Sequence, residues 1–148
     1  MISPAVKQCA EHCLGAGERC MVIDLHTCSG MDSTFMGMLA GLAMRLTKQA
    51  GGGRLEIAGA SEKNVSSLED LGLDAFMEIN PATASWSTRM DEIRGQLAPW
   101  NAAAIPPRER SREVLEAHKT LSAANEENAQ KFETVVSLLE KELGTQSS

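Results

Sequence analysis

The amino-acid sequence predicts an α/β domain followed by a helical hairpin, and this prediction depends on three observations. Short apolar segments alternate with amphipathic segments over residues 4–80, an order typical of layered strands and helices with a parallel component. The composition changes after Pro81, where helical periodicity replaces that alternation. Two amphipathic segments, 108–124 and 126–143, then follow with only Asn125 between them, which predicts an antiparallel helical hairpin.

A helix, a strand and a second helix are predicted at the start of the domain. Pro4 follows Ser3 at a typical helix start, and the apolar run CMVIDL at 20–25 is typical of a buried strand. The second helix begins near Ser33 and contains small residues that allow it to lie close to a sheet or to another helix. Its apolar stripe recurs at helical spacing and consists of Phe35, Met38, Leu39, Leu42 and Leu46.

Two more strands complete the predicted domain. The alternating segment RLEIAGA at 54–60 is the second strand. Ser61 then caps a helix, because serine is a favoured residue at that position. The segment AFMEI at 75–79 is a short third strand at an edge of the sheet.

The C-terminal part is predicted to be helical throughout. Residues 82–100 have helical periodicity, and the following segment 101–107 contains two prolines and is predicted to be a linker. Asn125 is expected to cap the second helix of the hairpin. These boundaries divide the chain into a domain at 1–82 and a helical extension at 83–148.

Composition and charge exclude several functions. The formal net charge is −6, which disfavours binding to nucleic-acid phosphates or to anionic membranes. Aromatic residues make up 3% of the chain and include no tyrosine, so base stacking lacks its usual residues. No apolar run approaches the roughly 20 residues of a membrane-spanning helix, and the start lacks the pattern of a signal peptide. We therefore expect a cytoplasmic protein without nucleic-acid or membrane partners.

The four cysteines lie in the first fifth of the chain, at positions 9, 13, 20 and 28. They form no C-x-x-C pair, and although His12 and His26 are nearby, the spacing does not predict a zinc site. Cysteine also serves as a small buried apolar residue. We expect Cys9, Cys13 and Cys20 to be reduced and mostly buried, and we predict neither a metal nor another cofactor.

The sequence lacks the patterns of common enzyme sites. It has no G-x-x-x-x-G-K-[ST] phosphate loop and no G-x-S-x-G elbow. Ser33 can be combined with His26 or His118 and an acid into a Ser-His-Asp set, but most chains permit such a selection. His118 lies on the apolar stripe of its helix, where a hydrogen-bonded packing role is common. We therefore predict no catalytic residue and a protein that is not an enzyme.

The segment Asp32-Ser33-Thr34 stands where the second helix begins, and it has two interpretations. Asp32 or Ser33 can cap the helix, which typically contributes about 1 kcal/mol. Alternatively, the Ser33 hydroxyl can carry a regulatory phosphate, which adds about −1.5 to −2 charges to a surface that a partner touches. Composition and spacing alone favour the cap.

The stretch VIDLHTCSGMDSTFMGMLAGL resembles the central part of STAS domains, specifically that of bacterial anti-anti-sigma factors, also called anti-sigma factor antagonists. In that family, a strand ending in Asp-Leu leads through a short turn to Asp-Ser-Ser/Thr and a helix rich in Gly and Leu. The segment 54–79 resembles the family's next strand, helix and short strand, so the resemblance covers residues 4–80. The matching residues of the central part are Asp24, Leu25, Met31, Asp32, Ser33, Thr34, Gly37 and Leu39.

The resemblance implies a partner-switching regulator. Unphosphorylated family members bind an anti-sigma factor that is also a serine kinase, which frees its sigma factor. Phosphorylation of the Ser after the Asp breaks that contact. In this chain the phosphorylated residue would be Ser33, and the docking face would include Asp32, Ser33, Thr34 and the exposed part of the following helix. The implied fold is a mixed sheet with helices packed on it.

Two features of the sequence depart from the family pattern. Phe35 stands where the family usually has Gly, and the chain begins at the first helix rather than at the two strands that usually precede it. We therefore expect a STAS-like sheet without those two strands, with its edge covered by the C-terminal extension or by another chain. A homodimer is one arrangement that would cover the edge.

The sequence thus predicts an anti-sigma factor antagonist that binds an anti-sigma factor/serine kinase and is released by phosphorylation at Ser33. One alternative is a STAS-like scaffold that binds partners constitutively, in which Ser33 is only a cap. Another is a small nucleotide- or anion-binding domain that uses the helix N-terminus at Ser33. Phosphate on Ser33 would support the antagonist, and partner binding that is unaffected by phosphorylation would support the scaffold. Saturable nucleotide binding would support the nucleotide- or anion-binding domain.

Overall fold

A sheet with helices packed around it is the main feature of this computed structural model, which describes residues 9, 10, 12, 20–49, 52–82, 84, 86–96 and 106–146. The strands are β1 (Cys20–Asp24), β2 (Arg54–Ala58) and β3 (Glu78–Ile79). The helices are α1 (Ser33–Thr47), α2 (Glu62–Asp70), α3 (Met90–Gln96), α4 (Pro107–Ala124) and α5 (Glu126–Gln146). The helix predicted from Pro4 lies outside the described residues, except for 9, 10 and 12, which are helical.

The strands described here pair in the order β1-β2-β3, and both pairings are parallel. In this register, Met21 lies beside Leu55 and Ile23 lies beside Ile57. Because side chains alternate along a strand, these four residues point to one face of the sheet and Glu56 points to the other. The predicted α/β fold is therefore confirmed, whereas the predicted homodimer across a sheet edge stays a prediction.

The hydrophobic core joins this first face of the sheet to α1 and α2. Leu55 and Ile57 of β2 are fully buried, as is Leu68 of α2. Each such side chain contributes roughly 1.5–3 kcal/mol by leaving water. The predicted apolar stripe of α1 faces the same core, with Phe35, Leu39, Leu42 and Leu46 buried and Met38 partly buried.

Two strands end or begin at different residues from those predicted, and a glycine is responsible in each case. Gly59 has a φ of 64°, a left-handed conformation that favours glycine, so β2 ends at Ala58 rather than at residue 60. Gly72 has a φ of 73° and precedes a 3₁₀ turn at Leu73–Ala75. The third strand, predicted at 75–79, is consequently limited to Glu78–Ile79.

The segment after the sheet begins with a 3₁₀ turn at Ser87–Arg89, which continues directly into α3. The helical periodicity predicted for 82–100 is thus confirmed over 87–96, while Leu97 lies outside the described residues. Most of the predicted linker, 101–105, also lies outside them. The division of the chain into 1–82 and 83–148 stays a prediction.

Helices α4 and α5 form the predicted hairpin. Asn125 separates them, and its Oδ1 accepts a hydrogen bond from the Asn128 backbone N–H at 2.8 Å, so Asn125 caps α5 as predicted. The helical spacing of apolar residues in 126–143 predicts a stripe of Phe132, Val135, Val136, Leu139 and Leu143, but Val135 is exposed. The reason is that the buried side of α5 follows a slightly different line, through Asn128, Phe132, Val136 and Leu143.

Candidate functional site

The first turn of α1 is organised by Asp32. Its backbone is extended, and its Oδ1 accepts a hydrogen bond from the Phe35 backbone N–H at 2.7 Å. Asp32 is therefore the N-cap, which satisfies one of the backbone donors that a helix start leaves unpaired. Ser33 is the first residue of the helix rather than its cap, so its hydroxyl is free to contact another element.

The Ser33 hydroxyl contacts a histidine 85 positions further along the chain. Its Oγ lies 2.8 Å from Nε2 of His118 in α4. The other ring nitrogen of His118, Nδ1, lies 2.6 Å from the backbone carbonyl oxygen of Val114. Because a carbonyl oxygen only accepts, Nδ1 carries the hydrogen in the neutral ring. Nε2 is then the acceptor, and the Ser33 hydroxyl donates to it.

Packing inside the hairpin fixes the position of His118. The residue is only 5% exposed, and its ring meets that of Phe132 in α5 edge to face, with centroids 5.4 Å apart. The packing role predicted for His118 is therefore correct but incomplete, since sequence reasoning missed the contact with Ser33. The arrangement is a Ser-His pair and not a triad, because Nδ1 faces the Val114 carbonyl rather than a carboxylate.

Helix α4 covers part of the surface that the sequence predicted to be a docking face. Gly37 of α1 is buried against α4, and a Cβ atom at that position would lie 2.3 Å from the backbone oxygen of Ala117. Around it, Asp32 is exposed, and Ser33 and Thr34 are partly buried. The outer side of α1 near Gly37 is therefore not open, because two small residues let the helix backbones meet.

A groove of about 330 Å³ remains beside this contact, between α1 and α4. Its lining is mainly apolar, with polar groups from both helices. Its lining residues include Thr34, Met38 and Gly41 from α1 and Glu116 and Thr120 from α4. We call the surface of α1 that carries Ser33, Thr34 and Gly37 the Ser33 face.

At the end of β1, Asp24 forms an ion pair with Arg94 of α3. The two contacts join Asp24 Oδ2 to Arg94 Nε at 2.7 Å and Asp24 Oδ1 to an Arg94 terminal nitrogen at 3.1 Å. Asp24 Oδ1 also accepts from the His26 backbone N–H at 3.0 Å. The hydrogen bonds from Arg94 hold the pKa of Asp24 below its ordinary value of 3.8. Asp24 thus attaches α3 to the sheet.

Glu56 makes a second connection, on the sheet face opposite to the core. Its carboxylate is 2% exposed and accepts hydrogen bonds from Arg54 Nε at 2.7 Å and Trp86 Nε1 at 3.0 Å. Cys20 Sγ lies 3.3 Å from the same carboxylate. Burial acts to raise the pKa of Glu56, but the hydrogen bonds from Arg54, Cys20 and Trp86 outweigh it, and the pKa is lowered.

The cysteines differ in part from expectation. Cys20 is exposed rather than mostly buried, because it is the first residue of β1, while Cys9 is partly buried. The Cys20 thiol is nonetheless partly shielded from water, and this shielding and the neighbouring Glu56 carboxylate raise the pKa of Cys20. Cys13 lies outside the described residues. Within the described part of the chain, no group of three or more His, Cys, Asp or Glu is placed to hold a metal ion.

Comparison with protein families matches the STAS domain over residues 2–85, a region that contains the whole sheet and Ser33. The chain belongs to the STAS domain family. STAS domains are found in anti-sigma factor antagonists and related proteins, and the family is generally non-enzymatic. The comparisons with curated proteins and with solved structures gave no match. The hairpin of α4 and α5 lies outside the matched STAS region.

None of the helices described here combines the length and hydropathy that crossing a membrane requires. The site residues predicted from the STAS resemblance occupy one turn at the start of α1. The structure adds His118 to them from a part of the chain that the family match does not include.

Proposed function

We propose that this STAS protein is an anti-sigma factor antagonist that works by partner switching. It binds an anti-sigma factor with serine-kinase activity, and phosphorylation at Ser33 releases it. The supporting observation is the position of Asp32-Ser33-Thr34, inside the matched STAS region and in the first turn of α1. A phosphate on Ser33 would add negative charge at the start of α1, where the proposed partner docks.

The charge beside Ser33 favours release of a partner over local ordering. A phosphate carries about −1.5 to −2 charges at neutral pH and prefers backbone N–H groups or arginine as neighbours. At this site the Phe35 N–H is already bonded to the Asp32 carboxylate. The phosphate would therefore be repelled by Asp32 and would act chiefly on the group that docks against it.

A constitutive STAS-like scaffold is the second candidate, and one observation favours it. The Ser33 hydroxyl already donates to His118, so this serine has a structural partner without any phosphate. A nucleotide- or anion-binding site at the same helix start has less support, because the Asp32 carboxylate already occupies the Phe35 N–H. The switch and the scaffold differ in whether modification of Ser33 changes binding.

Mass spectrometry of the protein isolated from its own cells, combined with pull-downs, tests the switch. We expect phosphate on Ser33, and we expect Ser33→Ala to retain the serine-kinase partner. Ser33→Asp should weaken that binding by about 1–3 kcal/mol, the usual scale for a charge placed in a docked surface. Ser66→Asp, which adds the same charge on the exposed side of α2, is the matched control and should bind like the wild type.

Two outcomes would contradict the switch. One is phosphate on Thr34 or elsewhere with Ser33 unmodified. The other is unchanged partner binding by Ser33→Asp, which would favour the scaffold. The proposed function also implies a cytoplasmic location, which fractionation of the same cells would test.

A further inference from the structure

The hairpin of α4 and α5 lies on the Ser33 face, the surface through which the proposed partner would bind. We infer that the hairpin and that partner compete for this face, so that the chain occupies its own docking surface until the hairpin moves. This inference rests on the proposed function, which identifies the competing partner as an anti-sigma factor with serine-kinase activity. Its first support is the hydrogen bond from Ser33 to His118, which joins the two elements directly.

The closeness of the two helices is the second support. A Cβ atom at Gly37 would lie 2.3 Å from the Ala117 backbone oxygen and 2.7 Å from the Ala117 Cβ. Such distances do not occur between real Cβ atoms and their neighbours, so the backbones of α1 and α4 are in direct contact. A side chain of a docking protein cannot enter this space while α4 is in place.

Phosphorylation of Ser33 would also break its hydrogen bond to the docked hairpin. The Ser33 hydroxyl donates to His118 Nε2 over 2.8 Å, and a phosphate replaces that hydroxyl hydrogen with a phosphorus atom and three oxygens, for which this distance leaves no room. His118 is buried, so little water is present to separate the two groups. A kinase would have to find Ser33 with α4 displaced, and a phosphorylated Ser33 would keep α4 displaced.

The far end of the hairpin is held independently of Ser33. Asn125 and Asn128 both donate side-chain hydrogen bonds to the backbone oxygen of Leu71, at 3.0 Å and 2.8 Å. Asn128 and Leu121 are buried there. The hairpin can therefore leave the Ser33 face while this second attachment keeps it on the domain.

Two glycines of α1 provide a matched pair of variants for the test. Gly37→Ala introduces a Cβ that collides with the α4 backbone, while alanine is a better helix former than glycine and does not weaken α1. Gly41→Ala makes the same change one turn later, where the nearest atom, Thr120 Oγ1, is 4.0 Å away. Amide hydrogen exchange of the full chain then reports docking, because a helix released from its packing exchanges faster.

We expect Gly37→Ala to accelerate exchange in α4 by about tenfold or more, with β2 unchanged and Gly41→Ala like the wild type. Should Gly37→Ala fail to fold, His118→Ala replaces it, with the same expectation. Ser33→Asp should accelerate α4 exchange by about 5- to 150-fold, and Ser66→Asp should not. The inference is overturned if α4 exchanges at the wild-type rate in either Gly37→Ala or Ser33→Asp. It is also overturned if α4 exchanges more slowly in Ser33→Asp than in the wild type, because His118 would then hold the added charge.

Binding of the serine kinase to the same variants then tests whether the hairpin competes with it. If the wild type binds a serine kinase, Gly37→Ala should bind it more tightly than Gly41→Ala does, and equal binding would show that the hairpin does not compete. If neither variant nor the wild type binds such a kinase, the proposed function has failed. The exchange results still decide whether the Ser33 face is covered, because they require neither the kinase nor the sigma factor.

Discussion

The two C-terminal segments attach to the STAS domain in different ways. The segment 86–96 lies on the sheet face opposite to the core and is held by polar groups, through Trp86 to Glu56 and Arg94 to Asp24. The hairpin lies on α1 and is held by close packing, through Gly37 against Ala117 and through buried Leu121, together with hydrogen bonds between uncharged groups such as Asn128 and the Leu71 carbonyl. The first attachment should therefore respond to pH and the second to side-chain volume.

Leu121→Ala should have the largest effect, because it removes a fully buried side chain from the attachment of the hairpin. We expect the free energy of unfolding to fall by about 2–5 kcal/mol in urea or thermal denaturation. Leu138→Ala in α5 is the control, since Leu138 is 63% exposed and its removal should change stability by less than about 0.5 kcal/mol. Equal effects of the two variants would show that the hairpin is not packed on the domain.

Trp86→Phe should have the next largest effect and concerns the other attachment. The variant keeps most of the ring but loses the N–H that donates to buried Glu56, which retains its bond from Arg54. We expect a loss of about 1–2 kcal/mol in urea unfolding. Thr88→Ala, at an exposed position of the same segment, should be neutral. A neutral Trp86→Phe would mean that the hydrogen bond to Glu56 does not hold this segment.

Arg94→Ala should make the stability of the protein less sensitive to acid. The folded-state pKa of Asp24 is lowered, so the ion pair stabilises the fold above the ordinary pKa of 3.8 and loses this contribution as the pH falls through the lowered value. The difference in unfolding free energy between wild type and Arg94→Ala should thus be greatest near neutral pH and shrink as the pH falls below 3.8.

The matched control for this pH series is Arg89→Ala, which removes an exposed arginine from its contact with Glu92. Its unfolding free energy should follow that of the wild type at every pH. A constant difference between the wild type and Arg94→Ala from neutral to acidic pH would contradict the role given to Asp24.

Lys119→Ala should have the smallest effect. Lys119 Nζ and Glu140 Oε1 lie 3.6 Å apart across the hairpin, and both side chains are about half exposed. Such pairs contribute at most about 0.5–1 kcal/mol and are weakened by salt. We expect the difference from the wild type to disappear in high salt, and a larger, salt-independent loss would show that charge also holds the hairpin.

The helices and strands of this fold could be predicted where residue types and spacing within one stretch of the sequence determine the structure. The run at 20–25, Ser61 and Asn125 carry their structural roles in their own residue types and spacing, and they form the predicted strand and caps apart from a residue at some ends. The burial predicted for the first strand is only partly correct, because Cys20 and Val22 of β1 are exposed. The length of β3 could not be predicted in this way. It depends on the left-handed turn at Gly72, whose added Cβ would meet the Asn125 side chain.

The contact between Ser33 and His118 could not be predicted for a related reason. Periodicity showed that His118 lies on the apolar side of its helix, but it does not show which other surface that side meets. The small residues of α1 predicted a close neighbour, and a sheet and a helix were equally compatible with them. Only the packed structure shows that α4 is this neighbour at Gly37.

Gly37 also links the evolutionary histories of two helices that are far apart in the chain. Alanine would favour a helix by about 1 kcal/mol over glycine, so mutation and selection for stability should replace Gly37 wherever space permits. The Ala117 backbone removes that space. Among descendants of a common ancestor, lineages that keep the hairpin should therefore retain glycine at position 37.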